Sequence, residues 1–303
     1  MKPIFSVIIV SFNSKKFLDQ CLASLLNTAL DNNKLEIIVI DNASTDGTYK
    51  FLQKKYPTVH FQLNSQNLGF AKANNLGIKN ARGKYILLLN PDTLVPEDCL
   101  PEMADFMEKN KNAAIATCRV EMADGTLDDA CHRGFPSPWN AFCHFTYLAN
   151  IFPSSLIFNG YHLGYRNLNK IHQIDSCAGA FMLVRKSVGD RLNWLDEDYF
   201  WYGEDLDFCF RAKQASFKVF FVPFVKMIHY KGISSGIKKH SLHFSTADKK
   251  TKIASTRARF EVMRLFYRKH YRHGRQSWLS PLIFAMIAIL ENLSLLKLKL
   301  NEN

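Results

Sequence analysis

The 303-residue chain is 47% hydrophobic and 22% charged, enough for a sizeable core and too apolar for global disorder. Its formal net charge of +12 is uneven, with 19 Lys and Arg against 5 Asp and Glu in residues 207–303 and 20 against 22 in residues 1–206. Seven scattered cysteines without a Cys-x-x-Cys pair argue against a zinc site or a disulfide framework and fit a reducing cytoplasm.

The opening MKPIFSVIIVSFN has a short apolar run and no small-residue cleavage site, so it reads as a first strand, not a signal peptide. Strand and helix patterns then alternate. FSVIIV (5–10) is a strand and KKFLDQCLASLLNT (15–28) a helix; EIIVID (36–41) is a strand, with Ser44 expected to cap a helix over 46–55. VHFQLN (59–64) is a strand, and FAKANNLGIKNA (70–81) a helix stopped by Gly83. YILLLN (85–90), EDCLPEMADFMEKN (97–110) and AAIATCRV (113–120) continue as strand, helix and strand. Short apolar strands separated by helices imply an α/β fold with a mostly parallel sheet flanked by helices.

Residues 121–175 mix aromatics, Pro and His without a period and suggest an excursion over the sheet edge. CAGAFMLVRKSV (177–188) returns to strand character, WYGEDLDFCFRAKQA (201–215) begins a helix near Gly203, and FKVFFV (217–222) is a strand followed by KMIHYKGIS (226–234). The pattern divides into a body over 1–240 and a C-terminal helical extension over 241–303. Within the extension, residues 246–274 read as a basic amphipathic helix ended by Gly274. Residues 278–300 are strongly apolar, yet the uninterrupted run from Pro281 to Leu290 is short for a bilayer span, which favours a helix lying in the interface or on a partner.

In open parallel sheets, ligands bind beyond the carboxyl ends of the strands. Ser11-Phe12-Asn13, Asp41-Asn42 and Asn90-Pro91-Asp92 would share that edge. Dinucleotide, phosphate-loop, nucleophile-elbow and His-Glu-x-x-His motifs are missing. What remains are these acidic clusters, Glu204-Asp205 and His229, a set that suits a hard cation such as Mg²⁺ or Mn²⁺ completed by substrate phosphates. Asp207 and Arg211 read as an i,i+4 helix pair.

Six ordered motifs then resemble the family 2 inverting glycosyltransferases of the GT-A fold, especially their rhamnosyltransferase-like branch. They are VIIVSFN (7–13), IDNASTDGT (40–48), NLGFAKANNLGIKNARGKYILLLNPD (67–92), AGAFMLVRK (178–186), YGEDLDFCFR (202–211) and HYKGIS (229–234). The resemblance implies that Asp41 accepts from a pyrimidine N3–H, with Ser11 and Asn13 near base and ribose. It makes Asp92 the last Asp of an Asp-x-Asp metal motif, His229 a further metal or diphosphate ligand, and Asp205 the catalytic base with Glu204 in reserve. Two departures stand out: Asn90 replaces the first Asp of that motif, and Phe12 stands where Tyr is common. Asn67, Gly69 and Asn74 are expected to shape the donor pocket, Arg82 to reach a phosphate or the solvent, and Trp201 and Tyr202 to form an acceptor platform or pack in the core.

The implied reaction is metal-dependent transfer of one sugar onto a glycan or lipid-linked acceptor in cell-surface polysaccharide synthesis. The donor would be dTDP-rhamnose or, alternatively, a UDP-sugar. The basic tail suits peripheral contact with the inner face of the membrane. It also suits nucleic acid, but no motif for nucleic-acid binding is present and that partner is not expected.

Overall fold

A computed structural model of the chain describes residues 2–230, 249–272 and 277–300. The chain divides into two compact units, Met1–Phe200 with Glu204–Tyr230 and Trp201–Gly203 with Lys231–Asn303. The boundary expected at 240–241 and the ends of the HYKGIS motif and of the basic helix at Gly274 lie outside the described residues.

The first unit begins β1 (Phe5–Ser11), α1 (Lys15–Leu26), β2 (Leu35–Asp41), α2 (Thr48–Lys55), β3 (His60–Leu63) and α3 (Phe70–Asn80). It continues β4 (Tyr85–Leu89), β5 (Thr93–Leu94), α4 (Cys99–Lys109), β6 (Ala113–Met122), α5 (Pro138–Phe145) and α6 (Leu148–Ile151). It closes with β7 (His172–Ile174), β8 (Phe181–Arg185), α7 (Lys186–Arg191), α8 (Glu204–Gln214) and β9 (Lys218–His229).

Among the described residues the strands form one sheet in the order β3-β2-β1-β4-β8-β6-β9-β5, with β7 beside β9. The β3-β2-β1-β4 half is parallel, as the apolar runs predict, and β1 and β4 are buried along their whole length. The other half is mixed: β8 runs antiparallel to both β4 and β6, and β9 is parallel to β6 but antiparallel to β5 and β7. One strand, β9, replaces the expected pair of segments. Pro223 cannot donate to a ladder, and the register against β6 shifts between Val222 and Lys226, so a bulge absorbs it.

Two local expectations are corrected. Ser44 does not cap α2; Asp46 accepts from the Thr48 amide at 3.0 Å, and the Ser44 hydroxyl instead accepts from the Asn13 amide at 2.9 Å. Gly83 is not a helix stop, because α3 already ends at Asn80. It lies flat against β1, where an added Cβ would sit 2.4 Å from the Ser6 nitrogen.

In the second unit α9 (Lys249–His270) packs on α10 (Ser280–Leu300). Glu291 does not end the apolar helix, because Arg264 of α9 pairs with its carboxylate. The described stretch Ser277–Leu298 is a 22-residue segment long and apolar enough to cross a membrane by length and composition only. Only 6% of its most apolar window is buried.

The Gly83 contact is testable. Gly83→Ala pushes a methyl into strand backbone that cannot rotate away, and the fold is expected to lose about 2 kcal/mol. Urea unfolding of the two proteins measures the difference.

Candidate active site

Register places the edge. Ser11 pairs with Asp41, while Ile9 pairs with both Val39 and Leu89. The carboxyl ends of β1, β2 and β4 are therefore level, and Asn90 to Asp92 continue β4 past that edge.

The first cluster joins the ends of β1 and β2 to the start of α3. Ser11 is buried, its hydroxyl 2.9 Å from that of Ser14. Asn13 has φ +49°, a left-handed conformation Asn tolerates, and its Oδ1 accepts from the Thr45 amide at 2.8 Å. Asp41 is fully buried; Oδ1 accepts from the Ser44 amide at 2.7 Å, and Oδ2 has no partner. Burial raises its pKa, and the bonds from Ser44 only partly offset that. Asn67 takes a supporting role, accepting from Asn42 Nδ2 at 2.8 Å and from the Gly69 amide at 2.9 Å. Gly69 does require a close approach, but to Phe200: φ is +81°, and an added Cβ would lie 2.5 Å from the Phe200 carbonyl oxygen. Asn74 donates to the Phe70 carbonyl at 2.9 Å and keeps a buried, unpartnered Oδ1.

The second cluster centres on His229, which pairs with Thr93 across β5 and β9. Its Nε2 donates to Asp92 Oδ1 at 3.2 Å and its Nδ1 to Asp128 Oδ2 at 3.1 Å. The Asn90 amide lies 3.3 Å from Nε2. Burial alone would lower the His229 pKa; Asp92 and Asp128 overcome it and hold it at about 9. Asp128 was not legible in the sequence, since it sits among acidic neighbours in an aperiodic turn.

Asp92 and His229 are donor types that suit a hard divalent cation, but among the described residues no group of three or more His, Cys, Asp or Glu is placed to hold one. Two cis ligands at about 2.1 Å are roughly 3 Å apart, close to the Asp92–His229 separation. A carboxylate on the second imidazole nitrogen is the usual support of a ligating His, and Asp128 supplies it.

The third cluster is at the start of α8. Asp205 Oδ2 accepts from Arg133 Nη2 at 3.0 Å and from the Gly179 amide at 3.2 Å. Burial first, then the neighbouring Asp205 charge, holds Glu204 well above the carboxylate range, and its Oε2 is buried without a partner. Gly179 and Ala180 connect this cluster to the second, because the Asn90 amide donates to the Ala180 carbonyl at 3.3 Å. Arg133 had no sequence signal; it lies inside the aperiodic excursion.

Three further expectations concern residues away from these clusters or in the second unit. Arg82 pairs with Glu36 near the amino end of β2, the opposite edge, and so does not reach a phosphate there. Arg211 donates to Asp207 at 2.7 Å as the i,i+4 pair. Trp201 and Tyr202 belong to the second unit, where the Tyr202 hydroxyl is 2.9 Å from that of Ser255.

The profile of glycosyl transferase family 2 matches residues 6–192, and the chain belongs to that family. It is 28% identical over 232 residues to the rhamnosyltransferase WbbL of Escherichia coli K12, covering 74% of this chain and 82% of the relative. It is 24% identical over 267 residues to the N-acetylglucosaminyl-diphospho-decaprenol L-rhamnosyltransferase of Mycobacterium tuberculosis, covering 84% of each. Among solved structures it is similar to S. aureus TarS 1-349 in complex with UDP, with TM-score 0.52 and 18% identity. That match covers 86% of this chain and 65% of the other. It is also similar to GalNAc-T7 with UDP, GalNAc and Mn²⁺, with TM-score 0.56 and 15% identity over 75% of this chain and 44% of the other. The fold is therefore GT-A, and the chain is a glycosyltransferase.

A prediction follows from His229. Its pKa in the fold is about 9 against an ordinary 6.5, so its charge contributes stability that is complete below about 6.5 and lost as pH rises through about 9. The stability difference between wild type and His229→Gln, measured by urea unfolding with chelator present, is expected to shrink steadily from pH 6 to pH 9.5.

Proposed function

We propose that this glycosyltransferase moves one sugar from a pyrimidine nucleoside diphosphate donor, with inversion, onto a glycan or lipid-linked acceptor in cell-surface polysaccharide synthesis. The observation that carries the reading is the buried, unpartnered Oδ2 of Asp41, at the same strand edge as Asp92 and His229. A buried carboxylate oxygen without a donor is costly, and the imide N3–H of uracil or thymine supplies one. Ser11 and Asn13 frame that position, and the Asn42–Asn67 pair braces it.

Asp92 and His229, the latter after releasing its Nε2 proton, would hold Mg²⁺ or Mn²⁺. A bound cation supplies charge neutralisation for the diphosphate that leaves. Asn90 lowers the local negative charge and points an amide at the same place. Asp128 keeps the His229 ring oriented through Nδ1.

Asp205 is assigned as the general base that takes the proton of the acceptor hydroxyl. Arg133 and the Gly179 amide fix its Oδ2, so the orientation of the carboxylate is set before the acceptor arrives. Glu204 is the weaker candidate, because burial and the neighbouring Asp205 charge raise its pKa well above the carboxylate range. A base acting opposite the leaving diphosphate gives single displacement with inversion, the logic of paired carboxylates in inverting sugar chemistry.

The two rhamnosyltransferase relatives support rhamnose and a dTDP donor; the UDP named in both structural neighbours keeps a UDP-sugar as the alternative. The exposed apolar face of α10 and the basic tail support peripheral docking on the cytoplasmic, anionic face of the membrane, where lipid-linked acceptors sit.

Calorimetry of thymidine, uridine and guanosine diphosphates, with Mn²⁺ and with chelator, tests the donor half. One pyrimidine nucleotide is expected to bind in a cation-dependent way, and Asp41→Asn and Asp92→Ala to weaken it. Binding of none of the three to folded wild type overturns the reading. Asp205→Asn is expected to keep nucleotide affinity and lose about 10²- to 10⁴-fold in transfer; unchanged turnover removes Asp205 from the base role.

A further inference from the structure

Arg133, which holds Asp205, opens onto a long loop without charge. From Gly134 to Tyr165 there is no Asp, Glu, Lys or Arg in 32 residues, although the chain as a whole is 22% charged. The neck of the loop is closed beside Arg133. The Gly134 amide donates to the Tyr161 carbonyl at 2.7 Å, and a Cβ on Gly134 would lie 2.0 Å from the Gly160 oxygen. Arg133 and Ser176 exchange backbone hydrogen bonds at 3.3 and 2.9 Å just below it.

The loop is built, not slack. It contains α5 and α6, and Asn140 donates to the Phe135 carbonyl at 2.8 Å. The Trp139 indole donates to the Ile157 carbonyl at 2.9 Å while its ring stacks on Phe142 at 5.7 Å. Yet several of its large apolar side chains face outward, while Leu163 is buried. Trp139, Phe142, Tyr147, Ile151, Leu156 and Ile157 are all exposed, Tyr147 and Leu156 to 70%. A concentrated apolar surface of this kind marks an interaction site.

We propose that this loop is a lipid-facing surface that seats the catalytic unit in the interfacial layer of the bilayer, with its neck beside the carboxylate assigned as base. The inference rests on the lipid-linked acceptor and membrane docking proposed above, and adds a second contact in a different unit of the chain. Composition selects the bilayer over a second copy of the chain. Protein interfaces enrich Arg and carry a polar rim, and here there is no charged residue at all. Entry into the interfacial layer penalises each charge, rewards aliphatic area and settles Trp and Tyr at headgroup level. The internal hydrogen bonds of the loop satisfy part of the backbone that such an environment would otherwise leave unpaired. The basic tail attracts an anionic surface through charge, whereas the loop has none to offer, so the two contributions separate with salt.

All seven native cysteines are buried, so a cysteine introduced on the loop can be labelled selectively. Full-length Leu156→Cys carrying the fluorophore NBD is mixed with vesicles of phosphatidylethanolamine and phosphatidylglycerol. Expected are a blue shift, quenching by nitroxide-bearing lipids, and persistence of the shifted signal in 0.5 M salt. The triple variant Ile151→Ser, Leu156→Ser, Ile157→Ser, checked for folding by circular dichroism, is expected to lower salt-resistant vesicle binding by about tenfold or more. Vesicle binding with an unshifted label overturns the lipid-facing loop and leaves docking by the tail standing. No vesicle binding overturns both. A label shift without vesicles, together with a doubled mass in light scattering, assigns the surface to a second copy and also overturns the proposal.

Discussion

The backbone of two consecutive residues, Gly179 and Ala180, links the clusters of the candidate site. The Gly179 amide donates to Asp205, and the Ala180 carbonyl accepts from Asn90. This is a consequence of strand direction. Leu89, the last residue of β4, pairs with Phe181, the first of β8, so the segment entering β8 crosses the sheet at the carboxyl edge of β4. A parallel strand in that place would begin at the opposite edge and bring its lead-in nowhere near Asn90. The antiparallel insertion is thus what lets one short backbone segment touch both the Asp205 cluster and the Asp92 cluster. Gly179 also has little room, since an added Cβ would meet the Phe70 ring at 3.3 Å.

Electrostatics at the edge follows the same economy of groups. Asp92 and Asp128 approach one imidazole from opposite nitrogens, and its protonation lets two carboxylates sit close together in a largely buried place. A carboxylate at position 90 would add a third negative charge beside Nε2; Asn90 avoids that. Asp41 is the contrary case. One oxygen is bonded to the Ser44 amide, the other is left open, and burial makes the arrangement unfavourable until a donor arrives. Asp205 is oriented by the protein, whereas Asp41 keeps one oxygen open, where the proposed donor base would bind.

The parallel half of the fold was legible because β1, β4 and most of β2 are buried on both faces and therefore read as apolar runs, FSVIIV and YILLL among them. From there the strand-end rule located Ser11, Asp41, Asn90 and Asp92 on one edge, and register confirms that placement. The mixed half was not legible. Strand direction leaves no mark in composition, and the β9 bulge at Pro223 looked like a strand end. Arg133 and Asp128 escaped for a related reason: each acts at long range in sequence, 72 and 101 residues from its partner, out of segments with no period. The helix-start reading failed more locally, because Gly47 takes the N-cap position of α2 and the Thr48 amide bonds to Asp46 instead of Ser44.

In the membrane docking proposed above, charge and apolar area would divide the approach by distance. The excess of Lys and Arg beyond residue 207 would act over about a Debye length, near 8 Å at physiological salt, before contact. The loop after Arg133 contributes nothing at that range, since it has no charge, and acts only once its side chains enter the interface. Long-range attraction would raise the encounter rate; the proposed short-range insertion would lengthen the stay and fix the orientation of the unit that holds Asp205. An enzyme whose acceptor is confined to a surface needs both, because a catalytic carboxylate pointed away from that surface has no substrate, however tightly the tail is bound.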